Sequence, residues 1–497
     1  MRFLDIFSWR PKDGAVYVEH ESVKQQVAGQ KVFKIIKVVR GKVEVVIDGK
    51  AYLGLFSVNE REGTCRIQLR TDRLHRFIVP LSDIRFSRKI TKESTKAHYY
   101  DVEYTYPVIT VLYRAEVTDS SMLRDTAYNF EGLTNEEIAR TLFRDGVIAA
   151  EEPAFIYERP PLIPLDPSRI EGMLLGVAVG DSLGNTSESM ASDERQRKHG
   201  LITDYLPNRH AGMSKVGLPS DDTQLSFDTL KVILENNRLD VGKLARAFAS
   251  HRIFEIGGTV KQFLRNYKVK REPWYYAGVV GSVGNGALMR ITPVLVSQFI
   301  NPYEKIYVDA VLATALTHNS GLAVGSSVAF VRMLNGFLYM KGPPGSLNFI
   351  DEFAETVEAF TGGAKFELSH LSGRISDVLK GALREGLSKG MSVKEFSERF
   401  GSSGHLLETD ISMLYILANY MADPQEAIIQ AVNYTYDNDT IASIVGAAVG
   451  ALYGRRAFRE SWIRGLLGRI REYDDGTVFV LINETIERIR RAGLFVD

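Results

Sequence analysis

The chain has one cysteine, three tryptophans and no net charge, and each scarcity excludes something. A lone Cys65 rules out an intrachain disulfide, a zinc ribbon and an iron–sulfur cluster. Equal numbers of basic and acidic residues, 61 of each in 497, with 45% hydrophobic and 25% charged residues, exclude disordered and collagen-like chains. Apolar runs are short. The two strongest, Gly172–Leu183 and Ile441–Gly454, fall well below the ~20 residues that span a bilayer, and each abuts an aspartate. The first residues, Met1-Arg2-Phe3-Leu4-Asp5-Ile6-Phe7, have no signal-peptide core. The expectation is a cytoplasmic protein without a membrane segment, and a monomer.

The zero charge is an average. Residues 1–100 hold 20 Lys and Arg against 11 Asp and Glu, and residues 101–165 hold 5 against 12. Glycine is uneven too, with 8 before residue 166 and 34 after it. Pro153, Pro160, Pro161, Pro164 and Pro167 crowd the place where composition shifts, which reads as a semi-rigid linker. Two domains follow: a β-rich α+β domain at 1–160 and a mainly α domain at 166–497.

In the first, Lys31–Arg40 and Lys42–Asp48 flank Gly41 as a hairpin, and further strands are expected at Ala51–Val58, Cys65–Arg70, Arg76–Val79, His98–Tyr104 and Val108–Val117. A helix at about Glu136–Arg144 has Thr134 and Glu137 at capping-box spacing before it and Asp145-Gly146 to stop it. In the second, helical periodicity marks Thr223–Leu234, Val241–Ala249, Tyr307–Leu316, Val324–Met340, Ile350–Ala359, Ile375–Gly386, Ile411–Met421 and Glu484–Arg491, and more than ten helices are expected.

Two glycine ladders stand out. Gly172, Gly176, Gly180 and Gly184 recur every four residues, as do Gly446, Gly450 and Gly454. On a helix this draws a bare stripe that a second backbone can approach. Each glycine costs a helix ~1 kcal/mol against alanine, so tight packing must offset it. Packing there would also bring acidic residues at the helix ends together: Asp181 beside Gly180, and Asp437 and Asp439 before the second ladder.

Ser220-Asp221-Asp222-Thr223 and Asp437-Asn438-Asp439-Thr440 both open helices. Singly each reads as ordinary capping, with acids placed to meet the helix dipole. Together they form a set of hard oxygen donors suited to Mg²⁺, Mn²⁺ or Ca²⁺, and facing each other they could bridge two ions. Gly281-Ser282-Val283-Gly284-Asn285-Gly286-Ala287-Leu288-Met289-Arg290 concentrates Gly, Ser and Asn before an apolar run and lacks the Gly-Lys-Ser/Thr of a Walker loop. No Gly-x-Ser-x-Gly elbow supports a serine hydrolase.

Taken in chain order, the first ladder (Glu171–Gly184), Ser220-Asp221-Asp222-Thr223, Gly284–Arg290, Leu316-Thr317-His318 and Asp437-Asn438-Asp439-Thr440 with its trailing ladder resemble the ADP-ribosylglycohydrolase family over roughly residues 168–460. The resemblance implies an all-α fold with two Mg²⁺ ions, or Mn²⁺, in a cleft. It implies that Ser220, Asp221, Asp222, Asp437, Asp439 and Thr440 hold the metal. Asp181, Ser282, Gly284, Asn285, Gly286, Met289 and His318 would face the substrate. Glu188 and Asp222 would share general base and acid roles, while the ions fix the ribose hydroxyls around an oxocarbenium-like transition state. Two positions depart from the pattern: Ser220 where threonine is common, and Tyr436 where many members have glycine, so that a phenol could narrow the pocket. The implied function is Mg-dependent cleavage of the glycosidic bond between ADP-ribose and a modified macromolecule, either a protein side chain such as arginine or serine, or nucleic acid. A catalytically silent ADP-ribose binder and a metal-dependent phosphohydrolase are the alternatives. For residues 1–100, Lys31, Lys34, Lys37, Arg40, Arg66, Arg70, Arg73 and Arg76 would carry any nucleic-acid contact, against the reading of solvated strands with lysine-blunted edges.

Overall fold

A computed structural model describes residues 128–345, 347–472 and 476–494, and, within 20–117, eight strands with a few turn residues. The chain divides into two compact units, Met1–Glu131 and Gly132–Asp497.

In the first unit β1 (His20–Val27) and β2 (Gln30–Ile35) pair with each other. A six-stranded sheet contains β3 (Arg40–Ile47), β4 (Lys50–Asn59), β5 (Thr64–Arg70), β6 (Leu74–Pro80), β7 (Ile84–Tyr99) and β8 (Val102–Val117), in the order β6-β5-β4-β3-β8-β7. All its pairs are antiparallel except β3 with β8. Alternate residues supply its buried face: Val43 and Val45 on β3, and Cys65, Ile67 and Leu69 on β5. Burial pushes the Cys65 thiol up to about 12, so it is a small apolar core residue rather than a nucleophile.

Two expectations for this unit are corrected. Gly41 lies inside β3, which pairs with β4 from Arg40↔Ser57 to Ile47↔Lys50, and Gly49, just before β4, has a φ of +77°. Glycine supplies that left-handed backbone without strain. The strand expected at His98–Tyr104 instead straddles the end of β7 at Tyr99 and the start of β8 at Val102, two long strands paired along their whole length. Of the eight basic residues, only the Arg66 side chain, half-buried, lies within the described side chains. Lys37 and Arg73 lie wholly outside the described residues.

The second unit begins earlier than the proline cluster. Helix α1 (Asn135–Arg144) opens on the expected Thr134–Glu137 capping box. The Asn135 amide donates to Leu239 O at 2.8 Å and to Asp309 at 2.6 Å. Ala149 N donates to Asn319 Oδ1 at 2.7 Å, and Glu151 N to Phe360 O at 3.0 Å. Phe155 meets Tyr307 and Phe360 edge-on. Residues 132–165 are therefore a strap on the helical unit, not a linker. Proline restricts the backbone without saying whether the segment is docked.

Eighteen α-helices are found among the described residues. The helix with the length and composition of a membrane span is Gly321–Tyr339, not either glycine-rich run, and 83% of its apolar window is buried inside the protein, as in a core helix. At the centre, α2 (Pro167–Gly184) lies antiparallel against the Asn438–Tyr453 helix. A Cβ placed on Gly176 would lie 2.1 Å from Gly446 O, on Gly180 2.1 Å from Ala442 O, and on Gly450 2.2 Å from Gly172 O. The two ladders face each other, and no side chain fits between them. The approach carries the last turn of α2 to the first turn of the partner helix: a Cβ on Gly184 would meet Asp439 Cα at 2.4 Å.

Candidate metal and substrate cleft

Asp181, fully buried in the last turn of α2, organises one wall. Its carboxylate accepts from Ser220 N at 2.9 Å, Ser220 Oγ at 2.8 Å, Thr223 N at 3.1 Å, the Thr223 hydroxyl and the Asn185 amide. These groups start α4 (Asp221–Asn236). Ser220 occupies the N-cap position, yet the capping acceptor comes from Asp181 on another helix. With α4 anchored this way, Asp221 and Asp222 enter the cleft. Asp437 and Asp439 arrive from the start of the Asn438–Tyr453 helix, with Thr440 beside them. Carboxylate oxygens of Glu188, Asp437 and Asp439 lie within 4.8 Å of one another.

Glu188 rides on the turn after α2, exposed at the mouth. Ser189, with a φ of +60°, donates its amide to Tyr436 O at 3.2 Å. The Arg195 guanidinium, on α3 (Ser192–His199), lies beneath this turn and is fully buried. It donates to the carbonyls of Ser187, Met190, Asn433 and Thr435 and to Ser187 Oγ, tying the Glu188 turn to the segment that leads into Asp437. Burial lowers it to about 10, so it stays charged at neutral pH, near Asp439.

Burial is the main force on the carboxylates of this wall, and their mutual repulsion adds to it. Asp221, Asp222 and Asp439 are pushed well above the usual carboxylate range. Asp437 is raised by burial and partly relieved by hydrogen bonds from Asn285 and Thr440. Glu188 is raised to about 7 by desolvation of its carboxylate, then by the charges of Asp437, Glu255 and Asp181. Asp222 Oδ1 is buried without a hydrogen-bond partner. So many crowded carboxylates require counter-charge, and an all-oxygen set with a threonine hydroxyl fits hard divalent cations.

The opposite wall is nearly bare backbone. Gly284, Asn285, Gly286 and Met289 line it, with Gly257, Gly258, Thr259 and Val260 at the start of another helix. Asn285 joins the two walls: its amide donates to Asp437 Oδ2 at 2.6 Å and to Thr409 Oγ1 at 2.9 Å. His318 stands over the glycines, within 3.1 Å of where a Gly286 Cβ would be. Burial, then the Arg290 charge, pushes its imidazole down to about 3, so it is neutral. The cleft has a volume of about 260 Å³.

The residues expected from sequence are mostly brought together. Glu188, Asp221, Asp222, Asp437, Asp439, Thr440, Gly284, Asn285, Gly286, Met289 and His318 all line the cleft. Three do not. Both Asp181 oxygens are taken up by the start of α4, which makes it a support for the wall rather than a substrate contact. Ser220, 2% exposed, sends its proton to Asp181 from behind the wall. Ser282 stands one layer back, 2.9 Å from the Thr259 hydroxyl. Tyr436 sits on the rim, 46% exposed, where its ring borders the opening. Ser189, Glu255, Gly404 and the 257–260 stretch escaped sequence reasoning. Gly257-Gly258-Thr259 at a helix start carried a readable signal, that of amides offered to an anion. Glu255 carried none: its left-handed φ of +42° appears only in the fold.

The profile of the ADP-ribosylglycohydrolase family matches residues 164–492. Similar proteins include an uncharacterized protein of Archaeoglobus fulgidus, 28% identical over 61% of this chain and 92% of its own. An ADP-ribosyl-[dinitrogen reductase] glycohydrolase of Rhodospirillum rubrum is 25% identical over 60% of this chain and 90% of its own. An ADP-ribosylarginine hydrolase of Serratia proteamaculans is 23% identical over 64% and 80%. With the match running from before the first glycine ladder to past the second acidic cluster, the chain belongs to the ADP-ribosylglycohydrolase family.

Proposed function

We propose that residues 166–497 hydrolyse the glycosidic bond between ADP-ribose and a modified macromolecule, with divalent cations, Mg²⁺ or Mn²⁺, held between the two acidic helix starts. The observation that carries this reading is the convergence of Glu188, Asp437 and Asp439 within 4.8 Å, beside Asp221 and Asp222. Asp221, Asp222, Asp437, Asp439 and Thr440 would hold the cations, while Ser220, behind the wall, would help hold the start of α4 through Asp181. When bound, such cations supply Lewis acidity and a fixed grip on ribose hydroxyls.

The remaining work falls to the chain's own groups. The glycine wall admits a phosphate-bearing ligand close to backbone amides, where a side chain would stand in the way. Of the two candidates for proton transfer, Glu188 suits it better. It is exposed at the mouth, where water and leaving group must pass, whereas Asp222 is 2% exposed and bonded to Thr440. A carboxylate there takes the proton of an attacking water as positive charge builds at the anomeric carbon. The relatives named for arginine and dinitrogen reductase make a modified protein side chain the first substrate to try.

The test is a panel of ADP-ribosylated arginine, serine and nucleic-acid substrates, each with Mg²⁺, Mn²⁺ or EDTA. Free ADP-ribose should appear with metal and vanish with EDTA. Asp437→Asn with Asp439→Asn should abolish release and metal binding together. Release of inorganic phosphate instead, binding of ADP-ribose without turnover, or full activity of the double variant overturns the reading.

A further inference from the structure

His318 is held from behind by two residues that do not line the cleft, and their chemistry decides where its proton sits. Its Nδ1 lies 2.8 Å from Thr317 Oγ1. That oxygen lies 2.7 Å from Arg290 Nη2, which also donates to Ala313 O at 2.9 Å. All three residues are 1% exposed or less. A guanidinium only donates, so the Thr317 oxygen is the acceptor in the first contact. The hydroxyl then has one proton to place. Among the described residues its only other hydrogen-bonding neighbour is His318 Nδ1. Were Nδ1 protonated, two donors would converge on the threonine oxygen and the hydroxyl proton would be buried without an acceptor, an arrangement that folded proteins avoid. An imidazolium would add a second buried positive charge next to Arg290.

We infer that Arg290 and Thr317 are positioning residues that fix His318 as a neutral imidazole carrying its proton on Nε2. The Nε2 edge faces the bare wall: a Cβ would lie 3.1 Å from Nε2 if built on Gly286 and 3.6 Å if built on Gly284. Nε2 has no hydrogen-bond partner among the described residues. His318 is thus an oriented, uncharged N–H donor over the glycine stretch, suited to an oxygen of a ligand lodged there, such as one of a diphosphate. Its neutrality separates donation from charge: the site gains direction without a cation that would bind any phosphate. The arginine pays for this with Nε and Nη1 buried and unpartnered, steadied by Phe248, whose ring centre lies 4.9 Å from the guanidinium carbon. The ligand's identity rests on the proposed function; the tautomer does not.

Nitrogen-15 NMR of histidine-labelled protein tests it, with His318→Gln to assign the signals. His318 should show a bare Nδ1 and a protonated Nε2, unchanged between about pH 5.5 and 8. Thr317→Val should abolish that signature and Thr317→Ser restore it. In calorimetry, Thr317→Val should weaken ADP-ribose binding roughly three- to tenfold, the worth of one oriented hydrogen bond, with Mg²⁺ affinity unchanged and the serine variant recovering. A protonated Nδ1 in the wild type, a titration inside that pH range, or a Thr317→Val ring indistinguishable from wild type overturns the inference. Absence of any ADP-ribose binding would instead remove the proposed function, and the wild-type spectrum would still decide the tautomer.

Discussion

The two walls of the cleft are built by opposite means. One is all side chain, with carboxylates from two helix starts and a turn crowded until burial raises every one of them, and mutual repulsion adds to it for all but Asp437. The other is almost all backbone, two glycine stretches under one neutral histidine. Both use glycine, but differently. Behind the acidic wall, the glycines let one helix backbone touch another. On the bare wall, they leave room for something the chain itself does not supply. What a substituted Cβ would meet separates these roles: backbone in the first case, the movable ring of His318 in the second.

The largest effect should therefore come from the ladder. Gly180→Ala places a methyl 2.1 Å from Ala442 O and 2.3 Å from its carbonyl carbon. Neither helix can yield without dragging Asp181 and the start of α4 with it. Ordinary overpacking costs about 1–3 kcal/mol, and a clash with backbone should exceed that range. Loss of soluble folded protein, or a melting temperature lower by more than ~5 °C, is expected in a thermal melt. A variant that melts like wild type would break the comparison.

An intermediate effect is expected from Arg195→Met. It strips donors from the buried carbonyls of Ser187, Asn433 and Thr435 and the part-buried carbonyl of Met190, of which Asn433 O keeps Ser192 Oγ, and loosens the tie between the Glu188 turn and the segment before Asp437. Each orphaned acceptor costs on the order of 1 kcal/mol, so a loss of ~2–4 kcal/mol in urea unfolding is expected. Weaker Mg²⁺ binding should accompany it, because the two halves of the acidic wall lose their common tie. A stable variant with wild-type Mg²⁺ affinity would mean that the wall is assembled by the glycine ladders alone.

How much of this was legible in the sequence follows from what periodicity can encode. The Val241–Ala249 helix has the expected bounds and most others end within about three residues of theirs, because burial of one face writes a 3.6-residue repeat, but the helices expected from Ile411 and Glu484 begin earlier, at Leu406 and Thr477. The ladders and acidic clusters were legible as spacings, and their meeting in space followed from glycine's single advantage, close approach. What stayed hidden was relational. Asp181 has the composition of a cleft residue, but its hydrogen bonds make it the cap of a helix 39 residues away. The proline-rich end of the 132–165 strap looked like a linker because docking is written in the strap's partners, Asn319 and Phe360, not in its prolines. The Arg290–Thr317–His318 chain joins residues 27 and 1 apart by contacts that no repeat announces.

The smallest effect should come from the bare wall, and it sharpens the contrast most. Gly286→Ala sets a methyl 3.0 Å from His318 Cε1 and 3.1 Å from Nε2, with Val260 Cγ2 at 3.9 Å and no backbone nearby. Gly286 is not among the glycines with positive φ, so alanine adopts its conformation without strain. A ring can tilt by a few tenths of an ångström where a helix cannot translate, so the fold should survive with a melting temperature within about 2 °C of wild type. The cleft should not be spared. The methyl occupies the space into which Nε2 points, and the tilt disturbs the Thr317 contact that orients it. ADP-ribose affinity should fall roughly tenfold while Mg²⁺ affinity holds, since the cation-binding carboxylates belong to the other wall. If Gly286→Ala unfolds the protein as Gly180→Ala should, then glycine serves packing on both sides of the cleft, and the bare wall is no ligand surface.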